Sequence, residues 1–473
     1  MIIVWHYRDL RMEDHPALSY AVSTKLPVLP LYIHDVAGDG PWAPGSAGKW
    51  WLHHSLQNLR ERYLLAGSDL IIRKGNAKQV LAALLKEFPL KEACWIERYQ
   101  PSRRQRDEAI RQWLDKHGCK VSVFQGNYLM DPDDVRTSKG KPYVVFTPFF
   151  RAVYATADWG GILLKPPDMQ KGRLPSSESL DDLHLLTKKP WGKQIPCLWK
   201  PGRSGAEENL QYFCDHHLTS YESKRDFLAV NATSRLSPHL AFGELSPREV
   251  WERCSKLPYP EPFLRQLLWR EFSNAFLYHF PSSTEHSWRE EFEQYPWADN
   301  AKALAQWKQG KTGYPIVDAA MRQLWETGWM HNRARLIVGS FLVKDLFIHW
   351  IEGARWFWET LVDADLANNT LGWQWVAGSG PDAAPYFRIF NPILQGKKFD
   401  PEGSYVRTYV PELAKLPTRW IHTPWEAPAS LLADAGIVLG KDYPLPMVDH
   451  GQARRKALKG YQNIKSAKKS AKF

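Results

Sequence analysis

The sequence predicts two folded units: an α/β domain built on a doubly wound, parallel, five-stranded sheet, and a large all-α domain after it. Three observations predict this. The first 125 residues alternate short apolar runs with helical patterns. A stretch rich in Pro, Gly, Ser and Lys follows. From about residue 205 the apolar residues recur at helical spacing. The expected boundaries are 1–128, a connector over 129–204, 205–460, and a basic tail over 461–473.

Five short apolar runs in the first domain are candidate strands, at residues 2–6, 28–34, 70–74, 93–97 and 120–124. Helical patterns lie between them, for example at 48–65 and 102–118. Strands that alternate with helices predict a parallel sheet with helices on both faces. No GxGxxG follows the first strand, so a dinucleotide is not expected there in the usual way.

The connector and the tail are both expected to lie outside regular structure. The connector carries KPPDMQKGRLPSSES and KKPWGKQIP, and we expect it to run over the surface between the two domains. The chain ends in KSAKKSAKF, a basic segment that is predicted to be disordered.

Composition restricts the class of protein. The formal net charge of +11 favours a polyanionic partner such as nucleic acid, although a basic surface can also serve solubility alone. The 5 cysteines show no CxxC pattern, so neither a disulfide framework nor a zinc or iron–sulfur site is expected. No apolar run is long enough to span a bilayer, and no secretory signal begins the chain. A cytoplasmic protein that does not contact membranes is expected.

Tryptophan is the outlier, with 23 residues. Each indole N–H requires a hydrogen-bond acceptor when it is buried, which makes tryptophan a costly core residue. Most of these rings are expected to pack in the core, and a few call for another explanation.

The densest chemistry lies at residues 363–400, DADLANNTLGWQWVAGSGPDAAPYFRIFNPILQGKKFD, with TGYPIVDAAMRQLWETGWMHNRARLIVGSFLVKDL upstream at 312–346. Acids beside amides can hold a polar heteroaromatic ring, and tryptophans can stack or pass electrons. Together the two segments resemble the flavin-binding core of the DNA photolyase and cryptochrome family, and most closely the class I-type photolyases that repair cyclobutane pyrimidine dimers. The resemblance implies FAD as cofactor and UV-damaged DNA as partner of a protein expected to be monomeric.

The resemblance also implies which residues bind the flavin. TSRLSPHLAFGELSPREV places hydroxyls and backbone N–H groups before a helix, where they suit either phosphate or ordinary capping; in the family this motif binds the FAD diphosphate. Asn369 matches the residue that faces flavin N5, and Arg335 and Asp363 match a salt-bridged pair beside the ring. The full set of implied cofactor-binding residues is Tyr221, Thr233, Ser234, Leu236, Ser237, Arg270, Arg335, Asp363, Asp365 and Asn369.

Three tryptophans match the family's electron-transfer chain between flavin and surface. Trp373 in LGWQWVAG would be innermost, Trp350 in LFIHWIEG intermediate, and Trp297 in QYPWADN outermost. Spacing in the sequence does not establish that they lie in a row, and among many tryptophans each could equally be a packing residue.

The resemblance further implies a DNA-facing pocket. Trp269 and Trp375 match the indoles that pack against a flipped pyrimidine dimer, Asn332 a hydrogen-bonding residue, and Arg333 a phosphate contact, while Lys397 and Lys398 would add to a basic rim. Two positions depart from the pattern. Gln266 stands where dimer photolyases carry glutamate, and Leu336 where they carry methionine.

These departures leave alternatives open. We expect light-driven repair of cyclobutane dimers by reduced FAD; Gln266 also suits a cryptochrome-type photoreceptor. Repair of (6-4) products is less favoured, since the histidines it requires are absent at Asn332 and Leu336. A nucleic-acid-binding protein without flavin is the remaining alternative. The family commonly holds a second, antenna chromophore, folate or deazaflavin, in its N-terminal domain, and the sequence does not decide which.

Overall fold

The computed structural model describes residues 1–159, 161–162, 168–169, 172–186, 192–382 and 387–470. Its N-terminal part is a parallel sheet of five strands in the order β3-β2-β1-β4-β5. The strands are β1 (Ile2–His6), β2 (Val28–His34), β3 (Ile71–Lys74), β4 (Glu92–Ile96) and β5 (Lys120–Phe124). All residues of β1, β2 and β4 are buried, as expected for strands covered on both faces. The predicted doubly wound sheet is confirmed; β3 begins one residue later than predicted, and β4 begins and ends one residue earlier.

The helices that flank the sheet are α1 (Pro16–Ser23), α2 (Ser46–Leu65), α3 (Ala77–Glu87) and α4 (Pro101–Lys116). The helices that follow the sheet are α5 (Phe146–Tyr154), α6 (Ile195–Leu198), α7 (Arg203–His216), α8 (Tyr221–Lys224), α9 (Ser237–Ala241), α10 (Pro247–Ser255), α11 (Glu261–His279), α12 (Ala301–Lys308), α13 (Pro315–Thr327), α14 (Asn332–Ser340), α15 (Trp350–Thr360), α16 (Leu366–Ala377), α17 (Pro392–Phe399), α18 (Ser404–Tyr409), α19 (Ala429–Asp434) and α20 (His450–Ser470).

Short irregular turns complete the described part of the chain. A π-helical segment, Phe341–Asp345, joins α14 to α15. Turns of 3-10 helix lie at Ala37–Trp42, Asp181–Leu183, Leu218–Ser220, Pro281–Thr284, Glu290–Gln294, Pro411–Leu413, Thr418–Trp420 and Pro424–Glu426. The predicted all-α second domain is confirmed.

Two expectations of irregular structure are wrong over part of their length, among the residues that the structure describes. The connector contains α5, whose Phe146, Phe149 and Phe150 are buried against the helical domain, because apolar side chains at 146, 149, 150 and 153 form one helical face. The tail is helical as far as Ser470, since α20 places Ala453, Ala457 and Ile464 in a buried cluster. Burial of that face anchors a helix that the basic composition alone would not support.

The two domains meet at the loop after β1. Arg8 from this loop donates to the carbonyl oxygen of Ala364 at 2.7 Å, and its guanidinium lies over the ring of Phe242. Gly243, with φ of +65°, passes so close that a Cβ atom would come within 2.2 Å of the Arg8 carbonyl oxygen. The sheet domain thus contacts the loop that carries Asp363 and Asp365. Among the described residues, no helix is both long enough and apolar enough to cross a membrane.

Candidate functional site

A cavity of about 500 Å³ lies in the helical domain where α11, α14 and α16 converge. The structure brings to its walls most of the residues singled out in the sequence: Gln266, Trp269, Asn332, Arg333, Arg335, Leu336, Asp363, Asp365, Asn369, Trp373 and Trp375. They come from segments that are up to 109 residues apart, between Gln266 and Trp375. Acids, amides, cations and aromatic rings therefore share one pocket.

The acidic side of the cavity is built around an ion pair. Arg335 on α14 donates to Asp363 Oδ2 at 2.7 Å and to the carbonyl oxygen of Met330 at 2.8 Å. Asp363 is buried, and its Oδ1 has no hydrogen-bond partner within the protein. A buried carboxylate oxygen without a donor is costly, so this atom is suited to accept a hydrogen bond from a bound molecule.

Asp365 has a structural task as well. It is the N-cap of α16 and accepts from the backbone N–H and the side-chain amide of Asn368, at 2.9 and 2.7 Å. The capping interpretation is thus correct for this acid, which also lines the cavity.

Two neighbouring amides on α16 are told apart by their contacts. Asn368 is tied to Asp365, whereas Asn369 donates through Nδ2 to the Ala354 carbonyl oxygen at 3.0 Å. That bond fixes the Asn369 amide and leaves its Oδ1 as an acceptor on a residue that lines the cavity.

Two tryptophans form the aromatic wall. Trp269 on α11 stacks on Phe146 of α5, with ring centroids 3.7 Å apart and planes 9° from parallel. Trp375 on α16 lies under the Arg388 guanidinium, 5.1 Å from the ring centroid. Both rings are half-buried, and each is held on one side by another planar group.

The polar residues beside this wall keep free hydrogen-bonding capacity. Gln266 donates through Nε2 to the Pro262 carbonyl oxygen at 3.2 Å, within its own helix. Asn332 is the exposed first residue of α14, and Leu336 follows it one turn later. The three side chains line the cavity near the tryptophans.

The predicted basic rim is partly engaged within the protein. Arg333 donates to Asp226 Oδ2 at 2.6 Å, and its guanidinium lies 4.5 Å from the Phe399 ring centroid. The ammonium of Lys398 lies 5.2 Å from the same centroid, and both Lys397 and Lys398 are exposed on α17. Neither lysine lines the cavity; both lie in the last turn of α17, just before Phe399.

The segment expected to bind a diphosphate lies before and at the start of α9. Thr233 and Ser234 are half-buried, Leu236 is buried and Ser237 begins the helix. These residues are not among those that line the cavity. Tyr221 is buried at the start of α8 and connects to the cavity through Arg225, whose guanidinium lies 5.3 Å from its ring centroid.

Arg270, another predicted cofactor contact, is committed to the protein. It donates to the carbonyl oxygens of Asn127 at 2.8 Å and Leu240 at 3.4 Å, and lies over the Tyr128 ring. Beside it, burial raises the pKa of Glu271 to about 7, although the Arg270 charge acts in the opposite direction. Arg270 thus joins the end of the N-terminal domain, at Asn127 and Tyr128, to the helical domain.

The three predicted relay tryptophans lie on connected elements. The Trp373 ring packs on Gly353, one turn after Trp350 on α15. The imidazole of His349 lies between the other two indoles, with centroids 5.5 Å from Trp350 and 4.7 Å from Trp297.

The indole N–H groups of these tryptophans differ in their partners. The Nε1 of Trp373 is buried without an acceptor. Trp350 donates to Ser287 Oγ at 3.4 Å, and the half-buried Trp297 donates to the Phe292 carbonyl oxygen at 3.0 Å.

Several cavity residues were missed in the sequence, namely Arg225, Ser273, Asp382 and Arg388. Ser273 is four residues after Trp269 on one helix face, and Arg388 lies inside the 363–400 run, so spacing could have found both. Phe146 could not have been found, because its contact with Trp269 joins positions 123 residues apart.

A second group with metal-ligand spacing lies near β1, formed by His6, Asp9 and His15. Its ring nitrogens already have partners. His6 contacts Tyr63 Oη and the Asp9 carbonyl oxygen, and His15 contacts Asp9 Oδ2 and the Leu18 N–H. Burial lowers the pKa of His15 to about 4, and this cluster serves as a buried hydrogen-bond network.

Comparison with family models assigns both domains. Residues 2–170 match the DNA photolyase model, and residues 263–463 match the model of the FAD binding domain of DNA photolyase. The deoxyribodipyrimidine photo-lyase of Agrobacterium fabrum is 46% identical, over 98% of each chain. Cryptochrome-2 of Arabidopsis thaliana is 36% identical, over 98% of this chain and 79% of that one.

Solved structures give the same picture. A bacterial class III photolyase from Agrobacterium tumefaciens superposes with a TM-score of 0.94 at 46% identity, covering 98% of both chains. An archaeal photolyase from Sulfolobus tokodaii, solved with two FAD molecules, gives 0.82 at 30% identity, covering 98% of this chain and 99% of that one. The first of these is a class III enzyme, so it lends no support to the predicted likeness to class I-type enzymes.

Proposed function

Because the chain belongs to the DNA photolyase and cryptochrome family, we propose that it is a deoxyribodipyrimidine photo-lyase, which repairs cyclobutane pyrimidine dimers in UV-damaged DNA with light. The observation that carries this function is the 46% identity to a photo-lyase across 98% of both chains. The net charge of +11 is consistent with a nucleic-acid partner.

The residues around the cavity fit an isoalloxazine ring. Such a ring carries an imide N–H, two carbonyl oxygens and, when reduced, an N5–H. The unpartnered Asp363 Oδ1 suits a donor such as the imide, the Arg335 guanidinium suits carbonyl oxygens, and the Asn369 carbonyl suits N5–H. The charge of the half-buried Arg335 is balanced by the buried carboxylate of Asp363.

The rest of the cofactor requires a second set of residues. We assign the diphosphate to Thr233, Ser234, Leu236 and Ser237, with Tyr221 behind them. The support for this assignment is their hydroxyls and backbone N–H groups at the start of α9, together with the Arg225 contact that joins Tyr221 to the cavity. When bound and reduced, FAD supplies the electron that light excites and that splits the dimer.

The chain's own contribution to repair is to hold the lesion and exclude water. Trp269 and Trp375 offer flat faces to a dimer turned out of the duplex, and Phe146 and Arg388 keep these rings in place. Gln266 and Asn332 carry amides that can hydrogen-bond pyrimidine edges. Arg333, Lys397 and Lys398 would meet the phosphate backbone, and for Arg333 this means exchanging Asp226 for a phosphate.

We propose that Trp373, Trp350 and Trp297 carry electrons inward from the surface to restore the reduced cofactor. The difference in the hydrogen-bond acceptors of their indole N–H groups supports this direction. An acceptor on the N–H stabilises an oxidised, positively charged indole, and only the inner Trp373 lacks one. The oxidised state is therefore more stable farther from the cavity.

We propose that the N-terminal sheet domain binds an antenna chromophore. The Sulfolobus tokodaii photolyase with its two FAD molecules adds a flavin to the candidates of folate and deazaflavin type. We further propose that the protein acts as a monomer in the cytoplasm, where a reducing environment keeps its 5 cysteines as the free thiols seen here.

A blue-light photoreceptor of the cryptochrome type is the second candidate function. Gln266 favours it, since an amide cannot release a proton to the dimer radical anion as a carboxylic acid can. The retention of Trp269, Trp375 and Asn332 in one cavity favours repair.

Repair assays separate the two candidates. Chemically reduced protein is mixed with oligonucleotides that carry either a cyclobutane dimer or a (6-4) product, illuminated with blue light, and the lesions are quantified by chromatography. Loss of the dimer alone is the expected result. If neither lesion disappears although FAD is bound, the photoreceptor function is correct; a protein without a flavin spectrum would exclude both.

A further inference from the structure

His349 occupies an unusual place on the relay described above. Its ring contacts Trp297 in an edge arrangement at 64° and Trp350 at 34°, so one imidazole touches both indoles. Within the described part of the chain, the rings of Trp297 and Trp350 do not pack on each other, and the His349 ring contacts both.

The backbone fixes the charge state of this imidazole. His349 is the N-cap of α15, and its Nδ1 accepts from the Ile351 N–H at 3.2 Å. An Nδ1 that accepts carries no proton, so the proton lies on Nε2 and the ring is neutral. The same hydrogen bond holds the ring plane next to Trp350, the first residue of the helix.

We propose that His349 is a positioning residue of the relay: its neutral imidazole bridges Trp350 and Trp297 and allows the oxidised state to move outward between them. The inference rests on the proposed relay function. In this step one electron leaves the Trp297 ring and fills the vacancy on the oxidised Trp350 ring. Trp350 becomes neutral and Trp297 a radical cation; no bond breaks, and a thiol in solution later returns the electron to Trp297.

A protonated imidazole at this place would oppose the step. A positive charge in contact with both rings repels the positive charge of either radical cation. Protonation at Nδ1 would also remove the cap of α15. The charged groups that act on His349 are Glu293 from the neighbouring 3-10 turn and, on α15 itself, Glu352 and Arg355. Burial lowers the pKa of His349, with Arg355 acting in the same sense, while the two carboxylates oppose them.

Two substitutions separate the ring from the cap. His349→Asn keeps a good N-cap acceptor but removes the bridging ring, whereas His349→Phe keeps a ring but removes the cap and the titrating group. His117→Asn is the matched control, because the ring centroid of His117, the C-cap of α4, lies 4.4 Å from that of Trp113 on α4, an imidazole–indole pair outside the relay.

Flash illumination of the FAD-loaded protein, followed by the absorbance of oxidised tryptophan, measures the step. We expect His349→Asn to delay the long-lived outer radical severalfold and His349→Phe to stay close to wild type. Because the pKa of His349 is lowered from the ordinary value of 6.5, the slowing of wild type, by about tenfold, should set in only at a pH below that value, and His349→Phe should not slow. His117→Asn should behave as wild type. An Asn variant as fast as wild type would show that His349 serves only as a cap, and equal slowing in both variants would show that an aromatic ring at this position is not sufficient for the step; either result would overturn the proposal.

A measurement without the cofactor tests the geometry. In protein labelled at histidine, the His349 ring signal, assigned by its loss in His349→Asn, should be displaced by the ring currents of two indoles and should lose part of that displacement in Trp297→Phe. An undisplaced signal contradicts the bridge. Trp297→Phe also tests the relay itself. If this variant keeps the long-lived radical, both the relay and the bridge fail. If it loses the radical while His349→Asn is unaffected, only the bridge fails.

Discussion

The Trp373 ring lies directly against the backbone of Gly353, where a Cβ atom would come within 2.1 Å of the indole. A side chain at this position would therefore displace the ring. Phe357, on the same helix, holds another edge at a centroid distance of 5.0 Å. The inner tryptophan is thus fixed against α15, the helix that begins with Trp350.

Replacement of this fixed ring tests the relay. We expect Trp373→Phe to block light-driven reduction of oxidised FAD by an external thiol, because phenylalanine fills similar space but oxidises far less readily. Enzyme reduced chemically beforehand should still repair DNA. Flavin absorbance under blue light measures the effect, with Trp113→Phe in the sheet domain as the control. A normal photoreduction rate in Trp373→Phe would place the relay on other tryptophans.

The ion pair at the cavity determines how firmly the cofactor is held. Asp363→Ala should lower the FAD content of purified protein, because Arg335 would remain half-buried without its partner and an acceptor would be lost. The flavin-to-protein absorbance ratio measures this loss. Glu412→Ala, which breaks the comparable Arg322 pair elsewhere in the helical domain, should leave the ratio unchanged. Unaltered flavin content in Asp363→Ala would refute the assignment.

Phosphate and lesion contacts should respond differently to mutation. Arg333→Ala should weaken the binding of damaged and undamaged DNA equally and should flatten the salt dependence of that binding. Trp269→Ala should instead reduce discrimination in favour of damaged DNA by about 1–3 kcal/mol, through lost stacking. Binding titrations of both DNAs at several salt concentrations give the comparison. Equal losses from both variants on both DNAs are incompatible with the pocket.

The Asp226 carboxylate supplies a control of opposite sign. Asp226→Asn keeps Arg333 but weakens its internal ion pair, so the guanidinium is freer to meet a phosphate. Affinity for both DNAs should rise. A fall would mean that the pair with Asp226 positions Arg333 for binding.

Gln266 should determine what fraction of the electrons transferred to the dimer leads to repair. An amide can donate to the pyrimidine edge without being protonated, so DNA binding should survive, but it cannot release a proton to the dimer radical anion. Gln266→Glu should raise the repair quantum yield while barely changing affinity for damaged DNA. A yield of zero in both forms would favour the photoreceptor function.

Glu271 makes stability depend on pH. Its folded-state pKa of about 7 exceeds the ordinary value of 4.5, so the folded protein binds more protons than the unfolded chain between these values. Stability therefore falls as the pH rises from 4.5 to 7, by about 3 kcal/mol at most. Glu271→Gln keeps an acceptor for the Leu129 N–H and should flatten this dependence in thermal unfolding. A slope equal to that of wild type would show that Glu271 is not its source.

The sequence predicts well wherever a local pattern has one physical meaning. Apolar runs such as 2–6 and 28–34 are strands because both faces of a parallel sheet are buried. Asp363, Asn369 and Trp373 share one short segment, so finding one of them finds the others. That these residues share one cavity with residues of α11 and α14 could be predicted only from the resemblance to the family.

What the sequence could not predict depends on contacts between distant segments. The connector was expected to be irregular from its composition, yet Phe146 is buried because Trp269 offers it a flat partner. The end of α20 is helical because Ala457 and Ile464 find a core built from Phe292 and Phe347. Arg270 has the charge for a phosphate, but two backbone carbonyls compete for it.

The two domains are separate in the sequence, but the hydrogen bond from Arg8 to Ala364 makes the cavity of the helical domain depend on the sheet domain. Removing the sheet domain would free the backbone between Asp363 and Asp365 and expose the surface beside Gly243. An isolated helical half should therefore lose its bound flavin on purification even though every residue that lines the cavity belongs to it. A different antenna domain grafted onto this protein would need an arginine in the equivalent loop, whichever chromophore that domain carries.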